Sequence, residues 1–129
     1  MKVRTLDDIT DTERDVRGDG WRARRHFVRD DRLGFSLSET TVEAGRELQI
    51  WYKHHQEACY VIEGAAEITE RETGAVHRIG PGDAYAPQHD RHTIRTLEPL
   101  RLVCVFSPAL TGHETHDADG SYEPAPAAD

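Results

Sequence analysis

Two short blocks near the middle of the chain constrain its fold more than any other feature. The first runs YKHHQEACYVIEG from Tyr52 to Gly64, and the second runs GPGDAYAPQHDRH from Gly80 to His92. In each block a short strand-like run accompanies a tight turn marked by glycine or proline. Each block also carries a side chain that can bind a metal, Glu57 in the first and His92 in the second. The pattern therefore indicates short strands with candidate metal ligands on them or beside them.

Short extended segments make up most of the remaining chain. Nine strand-like runs follow one another, at 21–29, 34–42, 47–52, 58–63, 65–71, 76–79, 84–86, 92–97 and 101–106. Residues 6–10 suit one helical turn, and no segment keeps the i, i+3, i+4, i+7 apolar spacing of a long helix. The predicted fold is therefore all-β, a sandwich or a barrel with one or two short helical turns.

The length, 129 residues and 14.6 kDa, is that of a single domain. We assign residues 1–122 to this domain and predict that 123–129, EPAPAAD, form a disordered tail. A net charge of −8 argues against nucleic acid or an anionic membrane as a partner. We expect a cytoplasmic protein, because no apolar run is long enough to span a membrane and the first residues lack a signal-peptide core. Cys59 and Cys104 form no CxxC motif, and we expect them to be reduced thiols.

Alternation along the strands predicts which side chains face inward. In 34–42, Ser36, Ser38 and Thr40 share one face, whereas Phe35 and Leu37 share the other. We expect the hydroxyl face to line a polar lumen. The apolar face then needs cover from a second sheet or a second subunit.

Two further strands show the same kind of grouping. One face collects Leu102, Cys104 and Phe106, and another collects Trp21, Ala23, Arg25 and Phe27. An arginine on the same side as a tryptophan is out of place in a dry core. It suits a pocket that receives an anionic group.

A metal site needs a third ligand beside Glu57 and His92, and Tyr85 is the candidate. Carboxylate, phenolate and imidazole form a mainly oxygen-donor set that suits iron better than copper or a structural zinc. Ordinary interpretations stay open for each residue. Glu57 can be a surface carboxylate, Tyr85 a half-buried aromatic after the PGD turn, and His92 a histidine at the mouth of a barrel.

The two blocks resemble the paired motifs of the cupins, small jelly-roll-like β-barrels that commonly hold one metal ion. Glu57 and Gly64 keep the spacing of the first motif, and Pro87 and His92 keep that of the second. No imidazole stands at the two positions where the first motif usually has histidines. The resemblance therefore implies a single-domain cupin barrel without the three-histidine site of the iron dioxygenases.

A more specific resemblance, to the ectoine synthase family of cupins, covers nearly the whole chain except the tail. The similar stretches are Val3–Ile9, Thr12–Trp21, Asp30–Ser36, Glu43–Leu48, Tyr52–Ala58, Thr73–His77, His89–Thr93, Arg101–Gly112 and Glu114–Tyr122. The HDRH block and the VCVF…LTG block are far more specific than a general cupin match. The chain departs from the family at Ser38, Trp51 and His54, and Ser38 bears on the choice of substrate because it lies on the hydroxyl face.

The resemblance implies roles for individual residues. The implied ligands of Fe(II) are Glu57, Tyr85 and His92. The implied substrate contacts are Trp21, Arg25, Ser38, Thr40, Cys104 and Phe106. The implied catalytic groups are Tyr52, Glu114 and His116, of which the last two would project together over the barrel mouth as a lid.

The implied activity is that of a metal-dependent hydro-lyase, which closes N-γ-acetyl-L-2,4-diaminobutyrate into ectoine and releases water. A small-molecule substrate and a homodimer are the expected partners. One alternative is a cupin metalloenzyme that acts on another small amino-acid derivative. Another is a non-catalytic cupin that only binds the osmolyte. Product analysis separates these alternatives, because the last one predicts tight binding without turnover.

Overall fold

A computed structural model describes residues 1–126 of the chain. Within that range the strands are β1 (Asp15–Gly18), β2 (Trp21–Phe27), β3 (Ser36–Val42), β4 (Glu47–Ile50), β5 (Gln56–Glu63), β6 (Ala66–Glu70), β7 (Val76–Ile79), β8 (Ala84–Tyr85), β9 (His92–Thr96) and β10 (Leu100–Ser107). One helical turn, α1 (Leu6–Ile9), precedes them, and a 3-10 turn covers Arg29–Asp31. No helix in the described range is long and apolar enough to cross a membrane.

The strands form two antiparallel sheets. The larger sheet has the order β1-β2-β3-β10-β5-β8, and the smaller one has the order β4-β9-β6-β7. Apolar side chains from both sheets meet in one core, for example Val61 and Leu102 from the first sheet and Ile68 and Ile94 from the second. The two sheets therefore close around a common interior, and the predicted all-β barrel with little helix is confirmed.

The predicted runs agree with the observed elements, with one omission. Each of the nine runs corresponds to a strand, and the predicted helical turn is α1. Strand β1, with the sequence DVRG, was not predicted, because it is short and has a single large apolar side chain. Its pairing with β2, from Asp15 opposite Arg24 to Gly18 opposite Trp21, stabilises it instead.

The pairing of β2, β3, β10, β5 and β8 places five side chains in one row across the larger sheet. Arg25 lies opposite Ser38, Ser38 opposite Cys104, Cys104 opposite Cys59, and Cys59 opposite Tyr85. Directly paired residues point to the same face of a sheet. This row therefore connects the predicted anion-binding arginine at one end with the predicted tyrosine ligand at the other.

Strand parity predicted the inward faces correctly except at Phe27. Trp21, Ala23 and Arg25 line the interior, as predicted. The pairing of β2 with β3 shifts register between Arg25 and Phe27, and such an irregularity breaks the simple alternation. Phe27 is half-buried under the guanidinium of Arg4 and does not line the cavity.

The chain packs onto the barrel as far as residue 122. Ser121 and Tyr122 are buried, and residues 123–126 have no helix or strand. Residues 127–129 of the predicted tail lie outside the described range. The boundary between domain and tail at residue 122 stays a prediction.

Candidate active site

One cavity inside the barrel is lined by ten of the twelve residues predicted for the site. They are Trp21, Arg25, Ser38, Thr40, Tyr52, Glu57, Tyr85, Cys104, Phe106 and His116. Tyr122 also lines the cavity, together with apolar residues of both sheets. The two remaining predicted residues, His92 and Glu114, are not in the lining. Both are buried next to it, His92 beside Tyr85 and Glu114 beside Arg25.

The end of the cavity near β5 and β8 carries the candidate metal ligands. Glu57 is buried, and its burial raises the pKa of the carboxyl to about 7. Burial also raises the pKa of the Tyr85 hydroxyl well above its usual value. Both groups are thus shielded from water. A nearby cation would favour the carboxylate and the phenolate, which are their charged forms.

The buried His92 ring has one nitrogen bonded to the backbone and one nitrogen without a partner in the described range. Its Nδ1 lies 3.0 Å from the backbone oxygen of Asp90, so that nitrogen carries the proton and donates it. Its Nε2 is buried and has no hydrogen-bond partner within the described residues. A backbone carbonyl on one ring nitrogen and a free lone pair on the other is the usual arrangement of a metal-binding histidine.

Tyr85 lies between the two other candidate ligands. It lines the main cavity together with Glu57, and its ring contacts the His92 ring edge-to-face with centroids 6.2 Å apart. A smaller pocket on the far side is lined by both Tyr85 and His92. The donor chemistry of these three residues and the unpaired Nε2 fit a bound metal ion.

Arg25 forms the opposite end of the site. It is only 1% exposed, and one terminal nitrogen donates to the backbone oxygen of Glu114 at 2.9 Å. Its Nη1 lies 3.8 Å from the Glu114 carboxylate, beyond hydrogen-bond distance. Both Nε and Nη1 have no hydrogen-bond partner among the described residues. A buried guanidinium with spare donors in a cavity is a ready-made site for an anionic group.

Glu114 is held by the loop that precedes it. Its two carboxylate oxygens accept the backbone N–H groups of Thr111 and Gly112 at 2.7 and 2.9 Å. Although burial acts in the opposite direction, these bonds and the charge of Arg25 lower the pKa of Glu114. The carboxylate is therefore ionised and held by the loop, while the backbone oxygen of the same residue binds Arg25.

His116 closes the cavity as part of an aromatic group. Its ring stacks on Tyr122 with centroids 4.7 Å apart and an angle of 3°, and it contacts Trp21 edge-on at 4.9 Å. Its Nε2 lies 2.8 Å from the Tyr52 hydroxyl. Burial, followed by the charge of Arg25, lowers the pKa of His116 to about 4. The imidazole is neutral near pH 7 and shares a hydrogen bond with the Tyr52 hydroxyl.

Two buried residues of the site were not predicted. Tyr122 packs against Tyr52 at 5.0 Å and lies under the Arg25 guanidinium, 5.5 Å from ring centroid to carbon. His55 is 1% exposed, contacts Phe106 and Tyr122 edge-on, and has no hydrogen-bond partner for either ring nitrogen in residues 1–126. Both lie in segments without strand periodicity. The available signal was the tandem pair His54-His55, of which only one member could face inward, and His54 is the exposed one.

A closed pair of antiparallel sheets around one interior cavity is the fold of the cupins, and the chain has this fold. The fold agrees with that of a Cupin 2 conserved barrel domain protein from Salinispora arenicola, with a TM-score of 0.64 at 23% identity over 83% of this chain and 88% of that one.

The family assignment is more specific. The family model described as ectoine synthase matches residues 1–126. An L-ectoine synthase of Alkalilimnicola ehrlichii is 51% identical over 124 residues, which cover 95% of this chain and 94% of the relative. A crystal structure of ectoine synthase from P. lautus superposes with a TM-score of 0.86 at 44% identity, over 100% of this chain and 94% of that one. The chain belongs to the ectoine synthase family.

Proposed function

We propose that this chain is an ectoine synthase, which closes N-γ-acetyl-L-2,4-diaminobutyrate into ectoine and releases water. In this reaction the α-amine nitrogen bonds to the acetamide carbon, the carbon–oxygen bond breaks, and the oxygen leaves as water with both amine protons. The observation that carries the proposal is the single cavity that joins a buried, partly unpaired Arg25 to the candidate ligands Glu57 and Tyr85. Such a cavity suits a small substrate with a carboxylate at one end and a carbonyl at the other.

Arg25 binds the substrate carboxylate in this scheme. Its Nε and Nη1 have no hydrogen-bond partner among the described residues, so each can donate a charge-assisted hydrogen bond to a carboxylate. Glu114 holds the remaining part of the guanidinium, through its backbone oxygen at 2.9 Å. The role proposed for Glu114 is therefore to position Arg25.

The cavity walls fold the flexible substrate. Trp21 and Phe106 supply apolar surfaces, and Tyr52 packs edge-on against Phe106 at 5.0 Å. Ser38 and Thr40 add hydroxyl groups on the adjacent strand, with their oxygens 3.5 Å apart. Because the bound substrate already has its amine close to the acetamide carbon, the entropic part of the activation barrier is lower than in water.

Glu57, Tyr85 and His92 are the residues proposed to hold the metal, with Fe(II) favoured by two oxygen donors and one nitrogen donor. A divalent ion bound there supplies a Lewis acid for the otherwise unreactive amide carbonyl. The hydrogen bond from His92 Nδ1 to a backbone carbonyl leaves Nε2 free to bind the metal. Cys104, which lies opposite Cys59 in the sheet, shapes the wall between the two ends.

Tyr52 and His116 are the groups proposed to handle protons. The neutral imidazole of His116 and the Tyr52 hydroxyl share a hydrogen bond at 2.8 Å, so a proton can pass between the two. The attacking amine must lose protons and the departing oxygen must gain them, and a coupled pair of groups can serve both needs. His116 is better placed than Glu114 for this role, because it lines the cavity and Glu114 does not.

Product analysis tests the function. The chain is purified without oxygen, loaded with Fe(II), and given N-γ-acetyl-L-2,4-diaminobutyrate; mass spectrometry then follows the loss of one water. We expect turnover that a chelator abolishes and Fe(II) restores. Iron bound at one per chain without turnover would leave the metal site in place and exclude this substrate. Tight binding of ectoine without turnover would instead identify an osmolyte-binding cupin.

We further propose a cytoplasmic homodimer. The outer face of the larger sheet carries adjacent apolar residues, because Leu37 lies opposite Val105 and Val103 lies opposite Tyr60. Phe35 extends this face and is 40% exposed, and Tyr60 is 51% exposed. A second copy of the chain would cover these side chains.

A further inference from the structure

Cys59 and Cys104 form an unusual pair inside the barrel. They lie directly opposite each other on β5 and β10, both are buried, and their sulfur atoms are 3.4 Å apart. Glu57 lies two residues before Cys59 on the same face of β5. One carboxylate oxygen of Glu57 and both sulfurs lie within 4.8 Å of one another.

We propose that Glu57, Cys59 and Cys104 form a second metal site, which takes a thiophilic divalent cation such as Zn²⁺ or Cd²⁺. This site differs in chemistry from the oxygen and nitrogen set of Glu57, Tyr85 and His92, although Glu57 belongs to both. The inference rests on the geometry of the two thiols, and it holds whether or not the reaction proposed above is correct.

The sulfur separation fits a shared cation better than a disulfide. Zinc binds sulfur at about 2.3 Å, and tetrahedral geometry then places two sulfurs about 3.8 Å apart. The observed 3.4 Å needs only a small opening of the pair. A disulfide requires a sulfur–sulfur bond of about 2.05 Å, and both cysteines are free thiols in the structure.

The chemistry of binding is balanced by proton release. Each cysteine loses its thiol proton to solvent as its sulfur bonds to the cation, while the Glu57 carboxylate supplies the third donor. A water molecule can add the fourth donor. Two thiolates select soft cations over Mg²⁺, Ca²⁺ or Mn²⁺.

The shared carboxylate has a functional consequence. A cation held by the thiol pair occupies Glu57 and brings a positive charge next to Tyr85, so the two sites cannot fill independently. We therefore expect Zn²⁺ or Cd²⁺ to exclude Fe(II) from the chain. This competition can be read by metal content alone, without an activity assay.

Cadmium titration is the direct test. Cd²⁺ is added to the reduced, metal-free full-length chain, and the ultraviolet charge-transfer band of cadmium–thiolate bonds is recorded. We expect the band to saturate at one Cd²⁺ per chain and to be lost in Cys59→Ser and in Cys104→Ser. His92→Ala is the matched comparison, because it removes a ligand of the other set and should leave the band intact.

Several outcomes overturn the proposal. One is the absence of the band at saturating Cd²⁺ in wild-type protein whose two thiols both react with a thiol reagent. Another is a band that persists unchanged in Cys59→Ser. A third is loss of the band in His92→Ala while circular dichroism shows a folded chain. Fe(II)-dependent turnover is measured separately, so a failure here is distinguishable from a failure of the proposed reaction.

Discussion

At the scale of single residues, Arg25 is a buried guanidinium with several unpaired donors. A fully buried guanidinium normally needs partners for most of its donors, because an unpaired buried charge is strongly destabilising. Arg25 has one backbone acceptor at 2.9 Å, a carboxylate at 3.8 Å, and two nitrogens without partners in residues 1–126. Cation–π contact with Tyr122 compensates in part. These unpaired donors are the reason for proposing that the substrate carboxylate binds Arg25.

Arg25→Lys should therefore impair substrate binding even though it keeps the charge. A lysine ammonium lacks the planar fork that binds a carboxylate with two hydrogen bonds. Loss of one charge-assisted hydrogen bond costs about 1.5–3 kcal/mol, so we expect kcat/KM to fall by about 10- to 100-fold, mainly through KM. Steady-state kinetics measures the effect.

Arg22→Lys is the matched control for this prediction. Arg22 is on the same strand, but its guanidinium pairs with the buried Asp15 carboxylate and does not line the cavity. We expect its kcat/KM to stay within about twofold of wild type. Equal losses in both variants would show that Arg25 acts through strand stability and not through the substrate.

His116 makes the folded state sensitive to acid. Its pKa is lowered from 6.5 to about 4, so the unfolded chain takes up a proton before the folded chain does as the pH falls. The contribution of this residue to stability is therefore complete above pH 6.5 and decreases between pH 6.5 and 4. One pKa unit corresponds to about 1.4 kcal/mol, and partial exposure of the ring reduces the total to about 2 kcal/mol.

His116→Gln should remove this part of the pH dependence. Glutamine can still accept the hydrogen of Tyr52 but has no proton to gain in this range. Urea unfolding of the metal-free chain at pH 7, 6, 5 and 4 gives the free energy of unfolding of both proteins. We expect the free energy of unfolding to fall more steeply with decreasing pH in wild type than in the variant. The difference between the two slopes should correspond to about one bound proton at most. Parallel curves would contradict the assigned pKa direction.

At the scale of elements, the segment 114–122 lies across the open end of the barrel. Gly120 accepts a hydrogen bond from the Trp51 N–H at 3.0 Å, and Ser121 accepts one from the Lys53 N–H at 3.2 Å. These bonds hold the segment to the end of β4. They thereby place the stacked rings of His116 and Tyr122 inside the cavity.

Gly120→Ala should displace this segment. Gly120 has φ +73°, and a Cβ there would lie 2.0 Å from the backbone oxygen of Gln49, which cannot move away cheaply. Gly45→Ala is the control, since Gly45 has φ +71° but open space around it. We expect a stability loss of about 1 kcal/mol for Gly45→Ala and about 3 kcal/mol for Gly120→Ala. Thermal unfolding measures both.

The activity of the two variants separates positioning from general stability. Displacement of His116 and Tyr122 should lower kcat/KM in Gly120→Ala at a temperature where both variants are folded. Gly45→Ala should keep wild-type kinetics, because Gly45 is not in the cavity lining and has open space around it. A Gly120→Ala enzyme with normal kinetics would show that the segment does not shape the site.

Strand periodicity explains why the faces of the elements were predictable from the sequence. Ser38 with Thr40, and Cys104 with Phe106, alternate regularly along β3 and β10, and the structure places all four in the cavity lining. The same alternation in β5 puts Cys59 on the face of Glu57, a signal that was present but not used.

Neighbour relations between the elements could not be obtained in the same way. The row from Arg25 to Tyr85 exists because β10 inserts between β3 and β5, a pairing of strands distant in the chain. Parity gives the face of each strand but not its partner or its register. The orientation of Glu114 also depends on two loop amides, which follow no period.

At the scale of the whole molecule, the outer face of the larger sheet exposes large apolar side chains to solvent. Leu37 and Val105 are paired and half-buried there, whereas Phe35 is 40% exposed. Charged groups on this face are satisfied locally, since Glu39 pairs with both Arg24 and Arg101. Apolar surface next to neutralised charges is typical of an interface between subunits.

Phe35→Asp should therefore convert the proposed dimer into monomers. A charge at the centre of an apolar contact would be desolvated without a partner on association, which opposes assembly. Val76→Asp is the control, because Val76 is 57% exposed on β7 of the smaller sheet, away from the proposed interface. Sedimentation equilibrium should give twice 14.6 kDa for wild type and Val76→Asp, and 14.6 kDa for Phe35→Asp. A monomeric wild type, or a Phe35→Asp protein that stays dimeric, would place the interface elsewhere or remove it. Because the proposed ligands Glu57, Tyr85 and His92 all belong to one chain, the monomeric variant should still bind metal, and metal content therefore separates loss of assembly from loss of fold.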